Sequence, residues 1–333
     1  MTELFRTRER CSNQNGRRRR GFTLVEMIVV MAIIGLLAAI LIPTIRAVMV
    51  RASESSIAVD LSNLDAGINQ FKEKFGDYPP DFSNRNLLAR HVQKAWPRIT
   101  TNEMRIFLAI AYHRGGSISG PQWEIDQAEA LVFWLGGFSE DPQHPFTGPG
   151  GPFSGGERNP ENAYFPFDNN RLTESGNIQT FAVEYMDATS TRQTFQFNAR
   201  QSTDEAILHG LENDPFPVCL TRGTNRPIVY LDAHNYLYSA YPMHSTIYQN
   251  TDVSGHAHAY LSDRKLLNGG FEWLNPHSYQ LITAGLDEDF GQDMVDVTGG
   301  HLFKRYPSGI NYVAGDLDNI TNFSGGTLED AIP

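Results

Sequence analysis

The sequence predicts an α+β protein in which one long N-terminal helix packs on an antiparallel β-sheet, with large loop-rich insertions between the elements. Three observations predict it. An uncharged apolar run lies near the N-terminus, a single apolar stripe of helical period follows it, and the remainder alternates short strand-like runs with Gly- and Pro-rich loops.

The apolar run from Met27 to Ile42 reads MIVVMAIIGLLAAILI. With its flanks it makes an anchor over residues 22–45, interrupted only by Thr23, Glu26, Pro43 and Thr44. About 20 apolar residues at about 1.5 Å each suffice to cross a bilayer core of about 30 Å. Arg17 to Arg20 stand immediately before it. Basic flanks stay on the cytoplasmic side, so the N-terminus is expected inside and the body exported. An ordinary secretory signal would carry a small-residue cleavage site after the run. Here Pro43-Thr44-Ile45-Arg46 and a continuing helical pattern follow, so the anchor is expected to be retained.

In the amphipathic continuation, residues 46–76, Ile57, Leu61, Leu64, Ile68, Phe71 and Phe75 recur at alternating spacings of four and three, which is one face of a helix. Gly76 suits a C-terminal stop, and Tyr78-Pro79-Pro80 cannot continue the helix. The helix is therefore expected to run to about Phe75, its first half in membrane and its second on the globular domain, residues 77–333.

In that domain, helical pieces are expected near Glu103–His113 and Asp126–Leu135. The stretch from Asp141 to Gly156 reads as an exposed insertion. Strand-like runs follow at Gln179–Met186, Thr194–Asn198, Ile228–Asp232 and Ser278–Ala284.

Charge narrows the function classes. Seven of the 27 basic residues and two of the 38 acidic ones precede Gly21, which leaves a body with 20 basic and 36 acidic residues. So acidic a body lacks the basic face that phosphate neutralisation needs, and no nucleic-acid partner is expected. Of the two cysteines, Cys11 precedes the anchor, so Cys219 has no internal disulfide partner once that segment is removed.

The run RRRRGFTLVEMIVVMAIIGLLAAILIP resembles the prepilin family. The resemblance implies a leader, residues 1–21, cut by prepilin peptidase between Gly21 and Phe22, with N-methylation of the new Phe22 amine. It makes Glu26 the fifth mature residue and Pro43 the twenty-second, the positions where the family carries these residue types. A carboxylate at the head of a membrane helix needs a partner. In the family that partner is the N-terminal amine of a neighbouring subunit, which gives Glu26 an assembly role. Pro43 removes one helical hydrogen bond and can loosen the rod, or is simply a tolerated membrane-helix proline.

Within this family, FKEKFGDYPP, SYQLITAGLDEDFG and GDLDNITNF resemble the helix end, the strand with acidic loop and the closing segment of the major pseudopilin of type II secretion. That group binds calcium in the loop, and the matching carboxylates are Asp287, Asp289, Asp316 and Asp318. Calcium takes six to eight oxygens, which suits such a loop. This chain departs from the group in a longer connection between Phe290 and Gly315, and in an insertion over about residues 81–270.

The resemblance implies a pilin-like fold and a structural subunit of a type II secretion pseudopilus or related type IV filament. Its partners would be further pilin subunits, prepilin peptidase and an inner-membrane assembly platform. The chain would lie in the bacterial inner membrane with its body exported, and the filament in the periplasm or at the cell surface. Alternatives are a minor or surface pilin that binds a ligand through aromatics such as Trp123, Phe138 and Phe146, and a pilin-anchored enzyme. For the enzyme, His244, His256 and His258 lack an HExxH helix, and the glycine stretches 115–120 and 148–156 lack the context of a phosphate loop. No Gly-x-Ser-x-Gly elbow is present and no catalytic residues are expected.

Overall fold

A computed structural model describes residues 22–113, 123–155, 158–202, 215–236, 257–267, 269–292, 294–295 and 301–333. Gly21 and the rest of the expected leader, the glycines of 115–120, His244 and His256 lie outside the described residues. The chain divides into two units, residues 1–50 and 51–333, with the boundary inside one helix.

That helix, α1 (Leu24–Phe75), is continuous through Pro43. In the first unit its large apolar side chains stand exposed, from Leu24 to Val50. It is long and apolar enough to cross a membrane by length and composition. In the second unit the same helix buries a stripe. Ile57, Leu61, Leu64, Ile68 and Phe71 are each at most 1% exposed, at the predicted spacing, and Phe75 packs beside them. Gly76 ends the helix with φ +77°, and its N–H donates to the Lys72 carbonyl at 2.7 Å. That left-handed conformation is easy only for a residue without Cβ.

The turn after α1 is locked by aromatic donors. The Tyr230 hydroxyl donates to the Pro79 carbonyl at 2.6 Å and the Trp134 indole N–H to the Pro80 carbonyl at 2.8 Å. Buried tyrosine and tryptophan need such partners, and here they tie distant segments to the end of α1. Next come α2 (Arg85–Ala95), capped by Asn84, and α3 (Thr101–Ala111), capped by Thr100. The antiparallel pair β1 (Tyr112–His113) and β2 (Trp123–Glu124) leads to α4 (Ala130–Leu135).

A long antiparallel hairpin follows, β3 (Glu174–Met186) with β4 (Arg192–Ser202). Beyond it lie β5 (Val229–Asp232), β6 (Leu261–Lys265), β7 (Phe271–Trp273), β8 (Tyr279–Thr283), β9 (Met294–Val295), β10 (His301–Leu302), β11 (Arg305–Tyr306), α5 (Ala314–Leu317), β12 (Ile320–Thr321) and α6 (Leu328–Ala331). The α+β class and the long helix match expectation. The single sheet resolves into several small ones, and one pair, β11 with β6, is parallel.

The sheet β12-β8-β5 is the wall of the body. Its β5 and β8 residues are all buried. Alternate side chains point to opposite faces. Tyr230, Tyr279, Leu281 and Ile320 join the core that receives the α1 stripe, while Val229, Leu231 and Ile282 join a second core with Tyr260, Phe290 and Leu328. A strand buried on both faces reads as a continuous apolar run.

Polar clamps reinforce the docking of α1. Asp60 is bound by Arg171 at 2.8 Å and by Arg222 at 3.0 Å, and the Tyr279 hydroxyl donates to Asp65 at 2.8 Å.

The stretch expected as an exposed insertion is part core and part surface, and the aromatics in it and before it turn inward. Trp123, Phe138, Phe146 and Phe153 are buried. Phe107 stacks on Phe146 with ring centroids 4.1 Å apart. The loop folds inward because Glu103, itself 1% exposed, accepts from the Phe146 and Thr147 amides, both at 2.8 Å, and from the Thr147 hydroxyl at 2.6 Å. Replacing Glu103 by alanine strands those donors in a buried site. The Glu103→Ala chain is expected to lose roughly 2 to 4 kcal/mol against denaturant in detergent, whereas exposed Glu161→Ala changes stability by less than about 0.5 kcal/mol. Equal effects would refute the anchoring role of Glu103.

Candidate functional site

The N-terminal motif forms a defined helix start. Thr23 precedes the first helical residue, and Glu26 is the third residue of α1. The Thr23 N–H donates to Glu26 Oε2 at 2.8 Å, and the Glu26 N–H donates to Thr23 Oγ1 at 3.2 Å. This is a reciprocal capping box, which satisfies two amides that a helix start otherwise leaves open. The motif Thr-Leu-Val-Glu carries the box in its spacing, a signal overshadowed in the sequence by the charge of Glu26. Phe22, 78% exposed, stands just before the cap. Pro43 has no N–H to offer, and the neighbouring Thr44 hydroxyl donates to the Leu41 carbonyl at 2.8 Å.

At the other end of the chain, the acidic residues are engaged one by one. Asp318 Oδ2 accepts from the Leu286 and Asp287 amides, Asp287 Oδ1 from the Asp289 amide at 2.9 Å, and Asp289 Oδ1 from the Gly291 amide at 2.9 Å. Asp316 is fully buried; its Oδ2 accepts from the Val313 amide at 2.7 Å and its Oδ1 from the Tyr260 hydroxyl at 3.2 Å. The ammonium of Lys304, 2% exposed, is ion-paired with the same Oδ1 and donates to the Phe290 carbonyl at 3.3 Å. Among the described residues no three His, Cys, Asp or Glu side chains gather to hold a metal ion. As arranged, Asp287, Asp289, Asp316 and Asp318 do not fit a calcium ion that needs six to eight converging oxygens. Lys304 was not legible as a site residue, since no local pattern sets it apart.

A cleft of about 320 Å³ lies beside the turn that ends α1, lined among others by Tyr78, Arg90, His91, Lys94, Asp232 and His234. The sequence did not announce it, because its walls come from segments far apart in the chain. Buried His91 stacks on Phe71 and, among the described residues, has no hydrogen-bond partner for Nε2; burial pushes its pKa down to about 4, so it is neutral. Burial pushes the Asp232 carboxyl up to about 6, with His234 Nδ1 3.0 Å from its Oδ1. That hydrogen bond raises the His234 pKa; Asp77 adds to the rise and Arg90 opposes it. His258 is buried in the body. The Cys219 thiol, pushed up to about 11 by burial, is held protonated and unreactive.

The family described as the prokaryotic N-terminal methylation motif matches residues 16–42. The chain is also similar to the type II secretion system core protein G of Pectobacterium carotovorum subsp. carotovorum, 33% identical over 66 residues, which are 20% of this chain and 42% of that protein. The chain thus spans less than half the length of that relative. No solved structure matches it. The motif stands at the head of a helix long and apolar enough to cross a membrane, and that helix continues into an α+β body. The N-terminal region of the chain is thus similar to that of type IV pilins and pseudopilins.

The Asp232–His234 pair sets a pH dependence. A basic group with a raised folded-state pKa stabilises fully below its unfolded value, 6.5 for His234, and the contribution is lost as pH rises through the folded value. Asp232 acts in the same sense: its charging penalises the fold as pH climbs from 3.8 to about 6. His234→Ala is therefore expected to lower the chemical unfolding midpoint more at about pH 6 than at about pH 8. Equal losses at both would show that the pair does not titrate with folding.

Proposed function

We propose that this chain is a structural subunit of a type II secretion pseudopilus or of a related type IV pilus-like filament. Prepilin peptidase cuts between Gly21 and Phe22 and methylates the Phe22 amine. Copies then leave the inner membrane through an assembly platform and stack into a homo-oligomeric filament, with the bodies in the periplasm or at the cell surface.

The observation that carries this reading is the change of character along α1. Beyond residue 50 one stripe is buried in the body, while before it apolar side chains all around the helix stand exposed. An apolar surface of that extent needs a cover. Lipid supplies it before assembly, and the anchors of other copies supply it afterwards. Trp123, Phe138 and Phe146, on which a ligand-binding surface pilin would rely, lie in the core instead.

In a host that makes prepilin peptidase, Gly21→Val is expected to leave the leader on, seen by intact mass, and to abolish incorporation into sheared filaments. Glu26→Ala is expected to be processed normally but to be depleted from filaments roughly tenfold, equivalent to about 1.4 kcal/mol of assembly free energy. Filaments built from unprocessed chain would refute the reading. Filaments and phenotype that survive deletion of the secretion machinery would assign the chain to a type IV pilus rather than a pseudopilus.

A further inference from the structure

The C-terminal acidic loop carries the one fully buried ammonium among the described residues, and it sits at a junction of chain segments. Lys304 Nζ reaches Asp316 Oδ1 and the Phe290 carbonyl. Tyr260 donates to the same Asp316 oxygen, and Asn319 Nδ2 donates to the same Phe290 carbonyl at 3.2 Å. One positive charge thus holds together the segments around Tyr260, Phe290, Lys304 and Asp316. The backbone is shaped for this close packing. Gly291 has φ +80°, and a Cβ there would lie 2.7 Å from both Asp316 carboxylate oxygens. Only glycine permits that approach.

Charge balance fits a monovalent cation. Asp316 is the fully buried carboxylate of the set, and Lys304 neutralises it. Asp287 is exposed, Asp289 and Asp318 are half-buried, and each spends an oxygen on backbone amides of the loop. A divalent ion brought to Asp316 would meet the ammonium at the same oxygen and be repelled. Lys304 lies in the connection between Phe290 and Gly315, the segment whose extra length sets this chain apart from the group it resembles.

We propose that Lys304 is a built-in cation of this body: its ammonium closes the C-terminal loop where the resemblance implies a calcium ion, so that the fold is independent of calcium. The role of Lys304 is the same whichever filament the chain enters, so its test stands apart from the filament assays.

The test is thermal unfolding of the full chain in detergent micelles, with excess calcium and with chelator, together with metal analysis after dialysis against calcium. The wild-type chain is expected to melt at the same temperature in both and to retain no stoichiometric calcium. Lys304→Met removes the charge and keeps the bulk. It is expected to lower the melting temperature by roughly 10 °C, the shift expected when a buried carboxylate is left uncompensated in a body of this size. Adding Asp316→Asn to Lys304→Met is expected to recover part of that loss, because the stranded charge is gone. A wild-type chain that loses stability in chelator, or that holds one equivalent of calcium, would overturn the proposal. So would a Lys304→Met chain that melts like wild type. If Lys304→Met fails to fold, the wild-type comparison and its metal content still decide the matter.

Discussion

The burial of one stripe of α1 is the constraint on which the rest of the body depends. Ile57, Leu61, Leu64, Ile68 and Phe71 present a narrow apolar band along one face of the helix, flanked by the Asp60 and Asp65 clamps. Each fully buried side chain of this kind contributes about 1.5 to 3 kcal/mol relative to exposure. The body is built to cover that band. Trp134 packs edge-on against Phe71 with centroids 5.7 Å apart, and β5, β8 and β12 supply Tyr230, Tyr279, Leu281 and Ile320. The far side of the sheet then needs a cover of its own, which the second core around Tyr260 and Phe290 provides. The C-terminal loop is fastened to that second core, so closing the loop supports the wall on which α1 rests.

How much of this was legible in the sequence follows from the range over which each interaction acts. The α1 stripe, its stop at Gly76, the helices near residues 101 and 130 and the strands β3, β4, β5 and β8 are written in local spacing, and the structure places them within a few residues of expectation. The helix α2 was equally local, with Asn84 accepting from the Asn86 and Leu87 amides and Leu88, His91 and Val92 on one face, but its low apolar content hid it. The inward fold of residues 139–153 was not legible. Glycine and proline there mark turns, but whether a turn faces solvent is decided by Glu103, more than forty residues earlier. Among the candidate site residues, the motif around Phe22 and Glu26 was legible because it is contiguous. The use of the four C-terminal aspartates was not, because a carboxylate spent on its neighbours' amides has the same sequence as one that holds a metal.

The same difference of range explains the cleft beside the α1 turn. Asp232 lies at the end of β5 and His91 on α2, and they share a cavity because Tyr230, two residues before Asp232, is tied to Pro79. Asp81, fully buried, accepts from the Asp232 amide at 3.1 Å and from Asn235 Nδ2 at 3.0 Å. The raised pKa of Asp232 is thus a consequence of how the sheet is pinned to the end of α1. A change that loosens that turn would relieve the burial of Asp232 and move its titration together with that of His234.

In the proposed filament Glu26 would have local and assembly work to do at once. As a lone carboxylate in an apolar helix head it would be costly, yet within the chain it already caps α1 through Thr23. Both hydrogen bonds it accepts from Thr23 fall on Oε2. A carboxylate has two oxygens and about four acceptor directions, so the cap leaves Oε1 to face a cation. Cleavage at Gly21 would create a new amine on Phe22, one residue before the cap, and the amine of a neighbouring copy would be the cation the carboxylate can meet without giving up its own helix start. Glutamine at this position would keep the cap through its carbonyl oxygen and lose the ion pair, whereas alanine would lose both. The separation of those two losses is what distinguishes a residue that merely starts a helix from one that sets the register between subunits.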